Sequence, residues 1–126
     1  MNKALISCGS NIDPYENMEK ARKLISERFH VLGHTPLEIT KPVGFVDQPD
    51  FVNAAIQVET DLGIESLTRV LHGFEEELGR VRTENRFGPR TIDLDVLVYG
   101  GELVDWDVYT RGFLKRQVKA FYPDLI

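Results

Sequence analysis

The chain holds a single cysteine, Cys8, so no disulfide can close within it, which suits a reducing compartment. Cys8 ends an apolar stretch and is expected to be a buried structural thiol. Histidine is scarce too. His30, His34 and His72 lie far apart and show no zinc-type ligand spacing. No apolar run approaches the roughly 18 residues that a membrane helix needs. The first residues show no long apolar core followed by a small-residue cleavage site, so a cytoplasmic location and no membrane partner are expected. Repeats, low-complexity tracts and linkers are missing as well, which predicts a single domain over residues 1–126.

The hydrophobic fraction of 42% and the charged fraction of 28% are ordinary for a globular protein. A net charge of −5 excludes a protein that binds nucleic acid over its whole surface. The distribution of charge says more. From Arg80 to Arg90 the chain carries four arginines, Arg80, Arg82, Arg86 and Arg90, against one acid, Glu84. Such a local reversal on an acidic chain points to a small anionic ligand.

Residues 3–8 read as a buried first strand ending at Gly9-Ser10-Asn11. Asp13, Pro14 and Glu16 have the pattern of a helix start, and Met18, Ala21, Leu24, Ile25 and Phe29 mark one helical face. Residues 30–40 predict a strand interrupted near Gly33, and residues 41–50, with two prolines and a glycine, predict a long loop. In the strand Phe51–Glu59, Val52, Ala54, Ile56 and Val58 face one side, and Phe51, Asn53, Ala55 and Gln57 the other. Leu67, Val70, Leu71, Phe74 and Leu78 predict a second helix stopped at Gly79. Thr91–Tyr99 predicts a strand, with Gly100-Gly101 turning into a partner over Glu102–Trp106. The order β-α-β-β-α-β fits an α+β sandwich of the ferredoxin-like kind, an antiparallel sheet with both helices on one face. No pattern places the residues after Asp107.

The strand TIDLDVLVY alternates. Ile92, Leu94, Val96 and Val98 are expected in the core, and Thr91, Asp93, Asp95, Leu97 and Tyr99 on the other face. Asp93 and Asp95 then stand roughly 6.5–7 Å apart on one side. Two like charges so placed repel, and a divalent cation removes the conflict. Magnesium takes one or two carboxylates together with phosphate oxygens and water. Guanidinium forks grip phosphate bidentately, and phosphoryl transfer is mostly positioning and electrostatics, so carboxylates beside arginines suit it. The bland alternative is a set of surface ion pairs.

At this point a resemblance enters. RFGPRTIDLDVLVYG resembles the signature of the 6-hydroxymethyl-7,8-dihydropterin pyrophosphokinases of folate biosynthesis, and the further matches ALISCGSN, VGFVDQPDFVNAA and ELGRVR before it and RGF after it run in the family's order. The resemblance implies transfer of the β,γ-pyrophosphate of ATP to the pterin hydroxymethyl group with release of AMP, two Mg2+ ions, and a monomer. It implies that Asp93 and Asp95 bind metal and that Arg80 and Arg90 are the catalytic, phosphate-contacting arginines. His72, Glu75, Arg82, Val96 and Arg111 fall on the nucleotide side. Phe51 and Phe113 match the aromatic pair that sandwiches the pterin, Asn53 its hydrogen-bonding partner, and Thr40, Pro42, Val43 and Phe87 the remaining wall. Glu75 reads equally as a solvated helix charge, and Phe51 and Phe113 taken alone read as core residues. Phe87 stands where the family often has tryptophan, Lys41 where it has proline, and the stretch between Asp95 and Arg111 lacks the family's Pro-His pair. Arg111, Lys115 and Arg116 are candidates for the missing positive charge. The competing reading is a pterin- or nucleotide-binding protein without turnover.

Overall fold

A computed structural model describes residues 1–42, 44, 47–80 and 89–126. Its strands are β1 (Asn2–Ser10), β2 (His30–His34), β3 (Glu38–Thr40), β4 (Phe51–Thr60), β5 (Asp93–Tyr99) and β6 (Glu102–Leu103), and its helices are α1 (Pro14–Arg28), α2 (Ile64–Glu77) and α3 (Gly112–Phe121). They form one six-stranded sheet in the order β2-β4-β1-β5-β6, with β3 also paired to β4, and every pairing is antiparallel. The β2 and β3 segments together make one interrupted edge. This is the ferredoxin-like α+β arrangement expected from the element order. The interruption has two parts, a bulge between Val31 and Gly33 and a break at Thr35–Leu37, where Pro36 cannot donate to a ladder. Thr35 bridges the break, accepting from the Ala55 amide at 2.8 Å through Oγ1 and donating its own amide to the Ala55 carbonyl at 2.9 Å.

Two cores sandwich the sheet. On one side Ala4, Ile6 and Cys8 of β1 and Val52, Ala54, Ile56 and Val58 of β4 pack against Met18, Ala21 and Ile25 of α1 and Leu67 and Leu71 of α2. On the other side Leu5, Ala55, Leu97 and Val98 pack against Leu114 and Val118 of α3. Both expected helices share a face, and a third, which the sequence left unplaced, covers part of the opposite one.

Three local expectations need correction. Asp13 occupies the N-cap of α1 in the left-handed conformation, φ 41°, and its side chain makes no cap hydrogen bond. Asn17 instead ties the first turn to the preceding loop, its Nδ2 donating to the Ile12 carbonyl at 2.6 Å. Along β5 the alternation holds through Val96 and then slips, because β1 pairs Leu5 with Val98 but Ile6 with Val96. The extra residue, Leu97, is a β-bulge. Leu97 and Val98 therefore both enter the α3 core, while Tyr99 crosses to the α1–α2 side. Finally, β6 stops at Leu103, and Trp106 begins a 3-10 turn (Trp106–Tyr109). The hairpin turn before it has φ 60° and 82° at Gly100 and Gly101, the positive values a tight two-residue turn requires.

Candidate active site

Strand register builds the site. On β1, Gly9 pairs with Asn53 on one side and Asp93 on the other, and Ser7 pairs with Ala55 and Asp95. Asn53, Gly9 and Asp93 thus form one row across three strands, with Ser7 and Asp95 in the next row on the same face. Small side chains in the middle strand leave a floor between polar walls. At Gly9 an added Cβ would lie 2.8 Å from Asn53 Oδ1, so only glycine fits without displacing that amide, while the Phe51 ring at 4.0 Å would be in ordinary contact. Asn53 is buried, and its Nδ2 donates to Thr40 Oγ1 at 2.7 Å, which fixes its amide plane.

Over this floor lies a cleft of about 250 Å³. Ten predicted residues line it together: Thr40, Phe51, Asn53, His72, Arg80, Arg90, Asp93, Asp95, Arg111 and Phe113. Residues separated by most of the chain, Thr40 and Phe113 among them, face one cavity. Phe113 borders both the cleft and the α3 core.

The arginine–aspartate end of the cleft is organised by the end of α2. Gly79, at φ 91°, stops the helix in a Schellman motif, with Arg80 N–H donating to the Glu75 carbonyl and Gly79 N–H to that of Glu76, each at 3.0 Å. That motif usually sets two apolar side chains together. Here the two positions are Glu75 and Arg80, whose side chains pair at 2.7 Å. The Glu75 carboxylate also accepts from the Leu94 amide at 2.8 Å, joining α2 to β5. Arg80 continues to Asp93 Oδ1 at 3.1 Å, and Arg90 approaches Asp93 Oδ2 at 3.6 Å.

Glu75 is therefore neither a solvated helix charge nor a wall of the cleft. It is a buried carboxylate that holds Arg80 in place, and no local pattern signals its amide partner. Val96 packs against the α1–α2 core, because the alternation of β5 turns it away from the aspartates, and neither it nor Pro42 lines the cavity. Arg116 points elsewhere as well. Its guanidinium pairs with Glu38, with Nε at 3.1 Å from Oε1, so of the three candidate cations beside RGF only Arg111 reaches the cleft. Val43, Arg82 and Phe87 lie outside the described residues.

Residues that sequence reasoning missed also line the cleft: Ser7, Gly9, Lys41, Asp105, Asp107 and Leu114. A glycine inside an apolar strand was the available signal for Gly9. Nothing in the sequence distinguished Asp105 or Asp107. Asp105 caps the 3-10 turn, its Oδ1 accepting from the Asp107 amide at 2.9 Å.

Burial raises Asp95 from its ordinary 3.8 to about 8, reinforced by the charge of Asp93, then by a hydrogen bond with Asp93 and by the charges of Asp105 and Glu75. Desolvation likewise holds Asp105 above its ordinary range, against the Asp107 hydrogen bond. Burial also lifts the Cys8 thiol, to about 12, which fits an inert core cysteine. Two adjacent carboxylates that cannot comfortably both ionise form a donor set suited to a cation. Among the described residues no three His, Cys, Asp or Glu side chains are grouped to enclose a metal. Two carboxylates alone could supply only part of a hard ion's oxygen ligands, and the rest would come from outside the protein.

The model of the 7,8-dihydro-6-hydroxymethylpterin-pyrophosphokinase family matches residues 5–122. The chain belongs to that family. It is 38% identical to the 2-amino-4-hydroxy-6-hydroxymethyldihydropteridine pyrophosphokinase of Haemophilus influenzae, in an alignment covering 100% of this chain and 85% of that relative. For the Pseudomonas aeruginosa pyrophosphokinase the identity is 32%, covering 99% and 83%. The folic acid synthesis protein fol1 of Schizosaccharomyces pombe is 35% identical over 98% of this chain, which spans 18% of that much longer protein. The pyrophosphokinase match takes in the whole cleft, from Ser7 on β1 to Phe113 and Leu114 on α3.

Proposed function

We propose that this chain is a diphosphokinase that moves the β,γ-pyrophosphate of ATP to the hydroxymethyl group of 6-hydroxymethyl-7,8-dihydropterin and releases AMP. The observation that carries this reading is one cleft uniting Phe51, Asn53 and Phe113 with Arg80, Arg90, Asp93 and Asp95 in a member of the pyrophosphokinase family. A purely pterin-binding protein has no use for the arginine–aspartate half, and no observation favours a protein without turnover.

The pterin ring would stack between Phe51 and Phe113, and Asn53 would meet its edge with both a donor and an acceptor. Asp93 and Asp95 would hold magnesium, two ions by family resemblance, which supplies Lewis-acid polarisation of the phosphate oxygens. Arg80 and Arg90 would stabilise charge on the transferring group, and Arg111 is a third cation on the same cleft. The hydroxymethyl oxygen attacks the β-phosphorus. The bond from that phosphorus to the oxygen bridging the α-phosphate breaks, and AMP leaves with the bridging oxygen. The hydroxyl proton passes to water, since no lining side chain is assigned as its base.

The test is AMP release from ATP and magnesium with and without the hydroxymethyl-dihydropterin. Pterin-dependent AMP is expected, and none is expected when magnesium is chelated. Formation of ADP would replace the reading with simple phosphoryl transfer, and an absence of nucleotide turnover would favour a binding protein. Among the described residues no helix is long and apolar enough to cross a membrane. A cytoplasmic, monomeric enzyme without nucleic-acid partners remains the reading for its setting.

A further inference from the structure

A second cavity, of about 260 Å³, lies between α3 and the break that separates β2 from β3. Pro36, Leu37 and Glu38 form one wall, and Arg116, Gln117 and Ala120 of α3 the other. It shares no lining residue with the reaction cleft. On α3, Gln117 stands with Leu114 and Val118 on the buried face, where an apolar side chain would pack better. It is 4% exposed, and neither Nε2 nor Oε1 of its amide has a hydrogen-bond partner among the described residues. No other buried side chain described is left in that condition.

The other polar side chains around this cavity are engaged. The Arg116 guanidinium pairs with the Glu38 carboxylate, with Nε 3.1 Å from Oε1, so the two bring no net charge. Thr35 Oγ1 accepts from the Ala55 amide at 2.8 Å. Pro36, Leu37 and Ala120 supply apolar surface. Burying an amide with both ends unsatisfied is costly, and folded proteins rarely do so. The last torsion of a glutamine is broad, so the amide plane can turn to face the cavity without a change of rotamer. A carboxamide holds its donor and its acceptor side by side in one plane, and its complement is a neutral group that does the same. A lactam or other cis-amide has that geometry. A trans peptide group points its N–H and C=O in opposite directions, and a charged ligand would meet no free counter-charge.

We propose that this cavity is a second small-molecule site, separate from the reaction cleft, which takes an uncharged lactam or cis-amide paired bidentately with the Gln117 carboxamide. Gln117 supplies the recognition. Pro36, Leu37 and Ala120 bury the apolar part of the ligand, and the Glu38–Arg116 pair flanks it. The site stands whatever reaction the cleft performs.

The probe is δ-valerolactam, which is not aromatic and so gains nothing from stacking between rings. It is titrated into the isotope-labelled full chain, and NMR follows the backbone amides of Leu37 and Ala120 and the side-chain amide of Gln117. Saturable shifts at each are expected, with a Kd on the order of a few millimolar for so small a ligand. Gln117→Leu keeps the bulk and removes the amide, and should weaken binding at least about tenfold. Ala120→Leu fills the cavity from an exposed position on α3 and should do the same, which decides the matter even if Gln117→Leu disturbs the fold. N-methylacetamide, a trans amide, should bind at least about fivefold more weakly than the lactam. Saturating 6-hydroxymethylpterin should leave the lactam affinity within about twofold of its value alone. The proposal is overturned by an absence of saturable shifts, by shifts confined to Phe51 and Asn53 of the cleft, by competition from the pterin, by equal binding of the trans amide, or by unchanged affinity in a folded Gln117→Leu or Ala120→Leu variant.

Discussion

On the side of α1 and α2, β1 contributes Ala4, Ile6 and Cys8, and the β5 region contributes Ile92 and Leu94, all buried and apolar. On the other side the same strands contribute Leu5, Ser7 and Gly9, and Asp93, Asp95 and Leu97. The first face is sealed along its length by two helices of fourteen and fifteen residues. The second carries α3, whose ten residues span about 15 Å, against roughly 30 Å for the nine residues of β1. Leu5, Ala55 and Leu97 lie under α3, and where that cover ends the same face becomes polar. The cleft is the uncovered end of a sheet face, where like charges such as Asp93 and Asp95 stand side by side without being packed under a helix.

Four substitutions or conditions sharpen this contrast between packing and binding. The largest effect is expected at the join. Glu75→Ala leaves Arg80 short of its buried partner and the Leu94 amide without an acceptor, and should cost about 3–5 kcal/mol in urea denaturation. A cost below about 1 kcal/mol would show that the join does not hold α2 to β5.

Asp95→Asn should do the reverse of a core change. AMP formation is expected to fall on the order of a hundredfold or more in a steady-state assay with magnesium. The melting temperature of the metal-free protein should hold or rise, since the variant removes a carboxyl whose charged form is disfavoured by burial and then by Asp93. A lower melting temperature with full activity would move Asp95 from the binding end to the packed one.

Gly9→Ala tests the floor. Its Cβ would crowd Asn53, and pterin affinity measured by fluorescence titration should drop about tenfold, or about 1.4 kcal/mol, with nucleotide affinity affected less. Equal losses for both ligands would mean that the floor is shared.

The shallowest effect is in pH. Asp95 is raised from 3.8 to about 8, so the native protein takes up a proton on folding and the protonated form is the stabilised one. The contribution of Asp95 to the stability of the metal-free protein is then largest below about pH 4, falls as pH rises towards 8, and levels above it. Magnesium affinity should rise across the same window, because ion binding must displace that proton. Thermal melts at several pH values check the slope, and in Asp95→Asn it should flatten.

The element order, the apolar faces of β4 and α2 and the stop at Gly79 were legible because each depends on local periodicity or on a backbone conformation that favours glycine. The paired aspartates were legible for the same reason, since a strand puts residues two apart on one face. The slip at Leu97 was not, because a bulge is settled by the partner strand. Neither was α3, whose apolar positions have meaning only against Leu5 and Leu97.

Sequence alone thus determined which chemical groups this protein carries and, by resemblance, the family it belongs to. Only the tertiary structure decided which of them meet. It turned Glu75 inward to the Leu94 amide, sent Arg116 to Glu38, brought Asp105 and Asp107 into the cleft, and set Asn11 between two loops. Contacts of that kind link residues distant along the chain through strand register and helix placement, and no local pattern encodes them.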